Sequence, residues 1–324
     1  SPSSDRLLSG DMDGRIRVWN LSTGATEGEF TVGNASVIVV DTTTPGWLIA
    51  ATSRGEVTAA EYNEDGLREL LRDVVSRETL LTLERLNESA EIFHSFDDKA
   101  SLLAASIRPW QGQSGVMRLW DLASNSTRVF PHRGTDPVIV ADASRIVYRD
   151  DGRVFAATVD ESSAESVVEM PLPENVIDIA KTNDGDWLVA LGDSGNVYGW
   201  KTASLEADAL LLAQNFGTDR GIRLIPFETN EIACSFESGA FITTSPSRDW
   251  RVSRFTGHQG VMSRIEYDSR NDRLMTSGAD RSVRVWAGTK PQPIQTLATL
   301  PTWACEIAVN ETGDSVISAG MGIP

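Results

Sequence analysis

The 324-residue chain is poor in the side chains that most often carry catalysis or bind metals. It contains only three histidines and two cysteines. His94 and His132 have no His, Cys or carboxylate partner at the spacing of a metal site. The sequence also has no phosphate-binding P-loop, no nucleophile elbow and no His-Glu-x-x-His segment. We therefore expect no catalytic residue, no metal site and no cofactor.

Basic residues are scarce as well, with 29 Lys and Arg against 46 Asp and Glu, for a net charge of −17. An acidic surface repels the phosphate backbone that dominates nucleic-acid affinity, so we expect no nucleic-acid partner. Long apolar runs are missing too, which argues against a membrane partner. The charge either keeps the protein soluble or favours encounter with a basic protein or peptide.

The two cysteines, Cys234 and Cys305, both fall in predicted strands. We expect two buried free thiols, with a disulfide or a reactive thiol as the alternative. No signal peptide is visible, and we expect a cytoplasmic location. The chain begins in the middle of a repeated motif, however, so the missing signal carries little weight.

The sequence does contain one segment that occurs in two similar copies. The first copy is Arg6-Leu-Leu-Ser-Gly-Asp-Met-Asp-Gly-Arg-Ile-Arg-Val-Trp19, and the second is Arg273-Leu-Met-Thr-Ser-Gly-Ala-Asp-Arg-Ser-Val-Arg-Val-Trp286. Ser9 and Thr276 precede the Trp of their copy by the same distance, as do Asp13 and Asp280. Each copy predicts an apolar strand, a tight turn and an alternating strand. His258 follows Gly257 upstream of the second copy.

Weaker copies fill the chain between these two. The position of the Trp recurs at residues 19, 60, 120, 157, 200, 244 and 286, a period of about 42 with one longer interval. Ala60, Ala157 and Thr244 replace Trp in three copies. The longer interval predicts an insertion within about residues 64–91. Its leucines suit either a helix or an outer strand followed by a loop.

Together these motifs resemble the WD-repeat β-propeller family, strongly at residues 5–30 and 257–297 and in the dipeptide Trp120-Asp121. The resemblance implies an all-β fold of four-stranded antiparallel blades. It also implies that the motif residues are structural and form hydrogen-bonded chains within blades, and it extends this role to one set of residues: His258, Thr276, Asp280, Trp286, Ser9, Asp13, Trp19 and Trp120.

We predict one propeller domain over residues 1–324, part of a longer polypeptide, with seven blades. One blade would be closed jointly by the two ends of the chain, Trp303–Asn310 pairing with the sheet of residues 5–30, because closure removes free sheet edges. An eight-bladed ring, or a fragment of a longer array, is the alternative.

The function that this resemblance implies is non-catalytic binding of a protein or peptide. The expected interaction face combines turns between second and third strands with the starts of first strands: Met12, Gln113, Asp150, Asp193, Glu237, Ile177, Arg223 and Met262. One alternative is an enzyme or redox propeller with a site in the central channel, which a metal analysis and an absorbance spectrum would test. The other is a purely structural spacer in a larger assembly. Fold analogy alone does not choose among them.

Overall fold

A computed structural model gives the fold. It describes residues 6–20, 23–41, 47–52, 57–63, 66–73, 90–96, 102–109, 116–121, 126–140, 144–159, 167–215, 219–227, 229–268, 271–287, 292–309 and 316–320. The chain divides into two compact units. The first contains residues 1–151 and 159–164, and the second contains residues 152–158 and 165–324.

The described residues of the first unit form short strands separated by turns. The strands are β1 (Arg6–Gly10), β2 (Arg15–Asn20), β3 (Thr26–Thr31), β4 (Val37–Asp41), β5 (Trp47–Thr52), β6 (Val57–Asn63), β7 (Gly66–Asp73), β8 (Ala90–Phe96), β9 (Leu102–Pro109), β10 (Val116–Asp121), β11 (Ser126–Arg133), β12 (Thr135–Val140) and β13 (Arg145–Asp150).

The second unit continues the same pattern. Its strands are β14 (Arg153–Thr158), β15 (Val167–Met170), β16 (Val176–Lys181), β17 (Trp187–Gly192), β18 (Val197–Lys201), β19 (Leu210–Ala213), β20 (Gly221–Pro226), β21 (Ile232–Phe236), β22 (Phe241–Thr244), β23 (Ser253–Phe255), β24 (Met262–Asp268), β25 (Arg273–Gly278), β26 (Ser282–Ala287), β27 (Gln295–Thr299), β28 (Ala304–Val309) and β29 (Val316–Gly320). The helical segments among its described residues are two 3-10 turns, Thr202–Ser204 and Pro246–Arg248.

Consecutive strands pair in chain order, which makes each sheet an antiparallel meander. Five four-stranded sheets are β4–β7, β8–β11, β16–β19, β20–β23 and β24–β27, and a sixth is β12–β15, within which the division between units falls. β1–β3 form a three-stranded sheet and β28 pairs with β29. The all-β fold is confirmed, and the sheets are consistent with a β-propeller. One domain, seven blades and joint closure stay predictions.

The strand pairing places the repeated Trp position at one point in its sheet. At six of the seven repeats, the residue at that position lies opposite an aliphatic residue near the start of the preceding strand. The pairs are Leu7 with Trp19, Leu48 with Ala60, Leu103 with Trp120, Leu188 with Trp200, Ile232 with Thr244 and Leu274 with Trp286. The weak copies therefore share the register of the strong ones, although the Trp itself is lost.

Within the second unit, the apolar cores lie between consecutive sheets because side chains alternate along each strand. In β21, Ile232, Cys234 and Phe236 pack with the sheet β16–β19. Ala233, the alternate residue, packs with the sheet β24–β27. The sheet β20–β23 thus packs against a neighbouring sheet with each of its faces.

The insertion begins as an outer strand. β7 pairs with β6 from Val57 opposite Asp73 to Asn63 opposite Gly66. The helical alternative is therefore wrong for residues 66–73, where helical spacing of leucines was overridden by pairing with β6. Residues 74–89 lie outside the described part of the chain. Among the described residues, no helix is long and apolar enough to cross a membrane.

Candidate functional site

The second strong copy builds a buried chain of hydrogen bonds in the sheet β24–β27. The Trp286 indole Nε1 donates to Thr276 Oγ1 at 2.8 Å, and His258 Nε2 lies 2.6 Å from the same hydroxyl. His258 Nδ1 lies 2.9 Å from Asp280 Oδ1. One proton assignment satisfies all three bonds, with Thr276 donating to Nε2 and Nδ1–H donating to the carboxylate. The chain ties the turn at Asp280 to the interior strand.

Asp280 anchors more than the imidazole. Its carboxylate accepts from the Ser282 backbone N–H at 3.1 Å, the Ser282 hydroxyl at 2.7 Å, the Gln259 N–H at 3.1 Å and Arg284 Nη2 at 3.0 Å. Burial opposes ionisation, but the bonds from Ser282 and His258 outweigh it and lower the pKa of Asp280. Burial lowers the pKa of His258, against the opposing effect of Asp280. A neutral imidazole beside a carboxylate is the resting state at neutral pH.

The first strong copy reproduces only part of this arrangement. Trp19 Nε1 donates to Ser9 Oγ at 2.8 Å. The Asp13 side chain is exposed and sits 3.6 Å from Arg15 in a surface ion pair. Asp11 instead holds the turn, since its Oδ1 accepts from the backbone N–H groups of Asp13 at 2.9 Å and Arg15 at 3.0 Å. The assignment of Asp13 to a buried network is therefore wrong, and residues 1–12 upstream of it contain no histidine that could play the part of His258.

A second network, which is partly buried and which the sequence did not reveal, replaces the histidine chain in the sheet β16–β19. The Glu174 carboxylate accepts from the Ser194 N–H at 2.8 Å, Asn196 Nδ2 at 3.0 Å and the Tyr198 hydroxyl at 2.7 Å. Burial raises the pKa of Glu174, but these donors outweigh it and lower the value to about 2. A Cβ on Gly192 would collide with this carboxylate, so glycine there makes room for it.

The same device recurs in the next sheet. Asp219 precedes Gly221, the first residue of β20, by two positions, and Glu174 stands in the same relation to Val176 of β16. Asp219 Oδ1 accepts from the Ser238 N–H at 3.1 Å, and its Oδ2 accepts from the Ser238 hydroxyl. An acid two residues before a first strand, with Ser at the repeated turn position, is the sequence signal that could have found both contacts.

The same backbone hydrogen bond holds each of three expected interaction turns in the second unit. The N–H of the residue before each repeated turn position donates to a carbonyl just before or at the start of the first strand: Asp193 to Asn175 at 2.8 Å, Glu237 to Arg220 at 3.0 Å and Ala279 to Val261 at 2.8 Å. The three turns are therefore held alike, whatever their side chains.

The residues expected at the interaction face differ in exposure. Met12 is 82% exposed. Glu237 and Arg223 are exposed, and the exposure of Asp150, Asp193 and Ile177 is intermediate. Gln113 lies outside the described residues.

Met262 does not belong to that face. It is only 4% exposed and packs in the core between β20–β23 and β24–β27. The pairing register explains the error, since Met262 begins β24 opposite Gly278 just as Val176 begins β16 opposite Gly192. Val176 is buried as well. Side chains at this position point into the core.

One thiol side chain, that of Cys234, lies in the described part of the chain. Cys234 is free and fully buried, and burial raises its pKa, so it is an unreactive thiol. The side chain of Cys305 lies outside the described residues. In the part of the chain that the structure describes, no group of three or more His, Cys, Asp or Glu side chains could hold a metal ion.

The repeated antiparallel sheets make this an all-β repeat protein whose fold is consistent with a β-propeller. The model of the family "WD domain, G-beta repeat" matches residues 1–20 and 249–287, which supports assignment to the WD-repeat family. The solved structure of the computationally designed Ika8 protein is similar, with a TM-score of 0.70 and 15% sequence identity, over 98% of this chain and 90% of that chain. At that identity the similarity shows the fold alone. No curated protein matches the sequence.

Proposed function

We propose that this chain is a non-catalytic scaffold or sensor module that binds a basic protein or peptide segment through the turns of its second unit. WD repeats generally mediate protein–protein interaction. The observation that supports a particular surface is the shared backbone anchoring of Asp193, Glu237 and Ala279. Turns fixed before binding lose little conformational entropy when a partner docks.

The side chains on these turns favour a cationic partner. Asp193 and Glu237 occupy the same position of successive repeats, and both carry a carboxylate at the surface. Arg220 approaches Glu237 only to 4.0 Å, and both side chains are more than half exposed, so this ion pair is weak. A basic side chain of a partner can therefore compete for Glu237. Binding should weaken as salt screens the charges.

A peptide-display selection on the purified chain tests this surface. We expect the enriched peptides to be basic and to bind at least tenfold more weakly to the double variant Asp193→Lys with Glu237→Lys. The matched control is Glu169→Lys with Asp186→Lys, which changes the net charge equally at exposed positions away from these turns. If both double variants weaken binding equally, the effect is due to net charge alone. If Asp193→Lys with Glu237→Lys does not weaken binding, the interface lies elsewhere on the chain.

The two other functions remain hypotheses without an observation in their favour. A channel enzyme or redox propeller would show bound metal or cofactor absorbance on the purified protein. A purely structural spacer would select no peptide at all. The display experiment therefore separates the binding module from the spacer, and spectroscopy separates it from the enzyme.

A further inference from the structure

The outermost strand of each sheet is a potential docking edge, because one row of its backbone groups faces away from the sheet. In natural proteins, charged or polar residues on an edge strand prevent unwanted pairing with another chain. The outer strands β3, β7, β11, β15 and β23 each contain a charged residue, and β27 contains Gln and Thr. β19, whose sequence is Leu-Leu-Leu-Ala, contains neither kind of residue.

β19 exposes this apolar sequence to solvent. Leu210 is 56% exposed and Leu211 is 53% exposed, although they are consecutive and point to opposite faces of the sheet. Leu212 is the extra residue of a bulge between Val197 and Tyr198. It is buried against Gly199, where a Cβ would collide with it. The third leucine therefore anchors the strand while the first two remain outside.

The charge beside this edge selects among possible occupants. Glu206 and Asp208 precede β19 and are both exposed. The whole chain carries a net charge of −17, which opposes close association of two copies. An extended apolar segment followed by basic residues, in contrast, would place its cations beside the two acids when it runs antiparallel to β19.

We propose that β19 is a docking edge that adds one antiparallel strand from a partner protein, an apolar segment with basic residues at its C-terminal end. Backbone hydrogen bonds supply much of the affinity in this mode, and side chains on alternate faces supply specificity. Leu210 and Leu211 contact the added strand's side chains on the two faces. This edge is separate from the turns of Asp193 and Glu237.

Fluorescence anisotropy with two labelled peptides tests the edge. The first is acetyl-Thr-Val-Thr-Val-Thr-Lys-Lys-amide, and the second has the two lysines at its N-terminal end. We expect the first to bind at least fivefold more tightly and to slow amide hydrogen exchange at residues 210–213. The variant Leu211→Lys places a charge at an exposed position of the edge, which opposes addition of a strand, and should weaken binding at least tenfold. Leu297→Lys in β27, whose leucine is 40% exposed, is the matched control and should leave binding unchanged.

Three outcomes would overturn the proposal. One is binding that Leu211→Lys does not weaken, and another is equal binding of the two peptides. The third is a dimer, seen by sedimentation at rising concentration, that Leu211→Lys abolishes, since it would give the edge to a second copy of the chain. The double variant Asp193→Lys with Glu237→Lys should leave binding of the first peptide intact, so failure at one surface is distinguishable from failure at the other.

Discussion

At the scale of single residues, Thr276 and Ser277 show how differently two buried hydroxyls can act. Both residues are fully buried, yet Thr276 bonds to His258 and Trp286, whereas Ser277 Oγ has no hydrogen-bond partner among the described residues. We expect Thr276→Val to lower the free energy of unfolding by about 1–3 kcal/mol, because it leaves two buried polar groups unpaired. Urea unfolding followed by fluorescence measures the change.

The matched control for this prediction is Ser277→Ala. It removes a hydroxyl that is buried without compensation, so it should be neutral or slightly stabilising. A loss with Ser277→Ala as large as the loss with Thr276→Val would mean that the hydrogen-bonded chain contributes nothing beyond packing.

The lowered pKa of Glu174 makes a prediction about pH. Its folded value is about 2, below the ordinary 4.5, so its ionised form stabilises the fold above pH 4.5. That contribution disappears as the pH falls from 4.5 towards 2. We expect the stability advantage of the wild type over Glu174→Gln, measured as the difference in urea midpoint, to be largest at pH 6–7 and to shrink progressively below pH 4.5. A difference independent of pH would show that the carboxylate is not held ionised.

At the scale of the strand, Gly192 decides whether this network can form. A Cβ there would collide with the Glu174 carboxylate, which is a flexible end that can move away. Gly192→Ala should therefore leave the sheet folded but separate Glu174 from Ser194 and Asn196. We expect an NMR titration to show the pKa of Glu174 moving up towards 4.5. Gly28→Ala in β3, where a Cβ meets only ordinary contacts, is the control for a glycine change in a strand. An unchanged pKa in Gly192→Ala would refute the steric argument.

The strand scale also shows how far the sequence could predict this fold. The turn spacing located the repeated position even in copies without Trp, because register depends on turn geometry and alternation. The same reasoning missed Glu174, since the family motif places a histidine, and not an acid, in the loop before the first strand. It misplaced Met262 because the exposed and buried positions at the start of a first strand differ by one residue. For residues 66–73 the helical spacing misled, because pairing with β6 decided the structure.

At the scale of the whole molecule, the second unit is stabilised by stacking of successive sheets. Met275, Val283 and Val285 of the sheet β24–β27 are buried against Ala304 and Ile307 of β28. In such stacked repeats each sheet depends on its neighbour to cover an apolar face. A change that removes the last pair of strands therefore acts on the sheet before it.

We predict that a chain ending at residue 300 is insoluble or melts far below the full chain. Full burial of a Val or Met side chain contributes about 1.5–3 kcal/mol, and three such side chains would become exposed. Trp303→Phe is the control, because it keeps β28 and β29 in the chain while it removes the bond from the partly exposed Trp303 indole to Ser263 Oγ, and it should cost about 0.5–1.5 kcal/mol. Calorimetry distinguishes the two. If the truncated chain melts cooperatively at the temperature of the full chain, β28 and β29 do not stabilise the sheet β24–β27. Stacking against β28 would then not be the source of that sheet's stability.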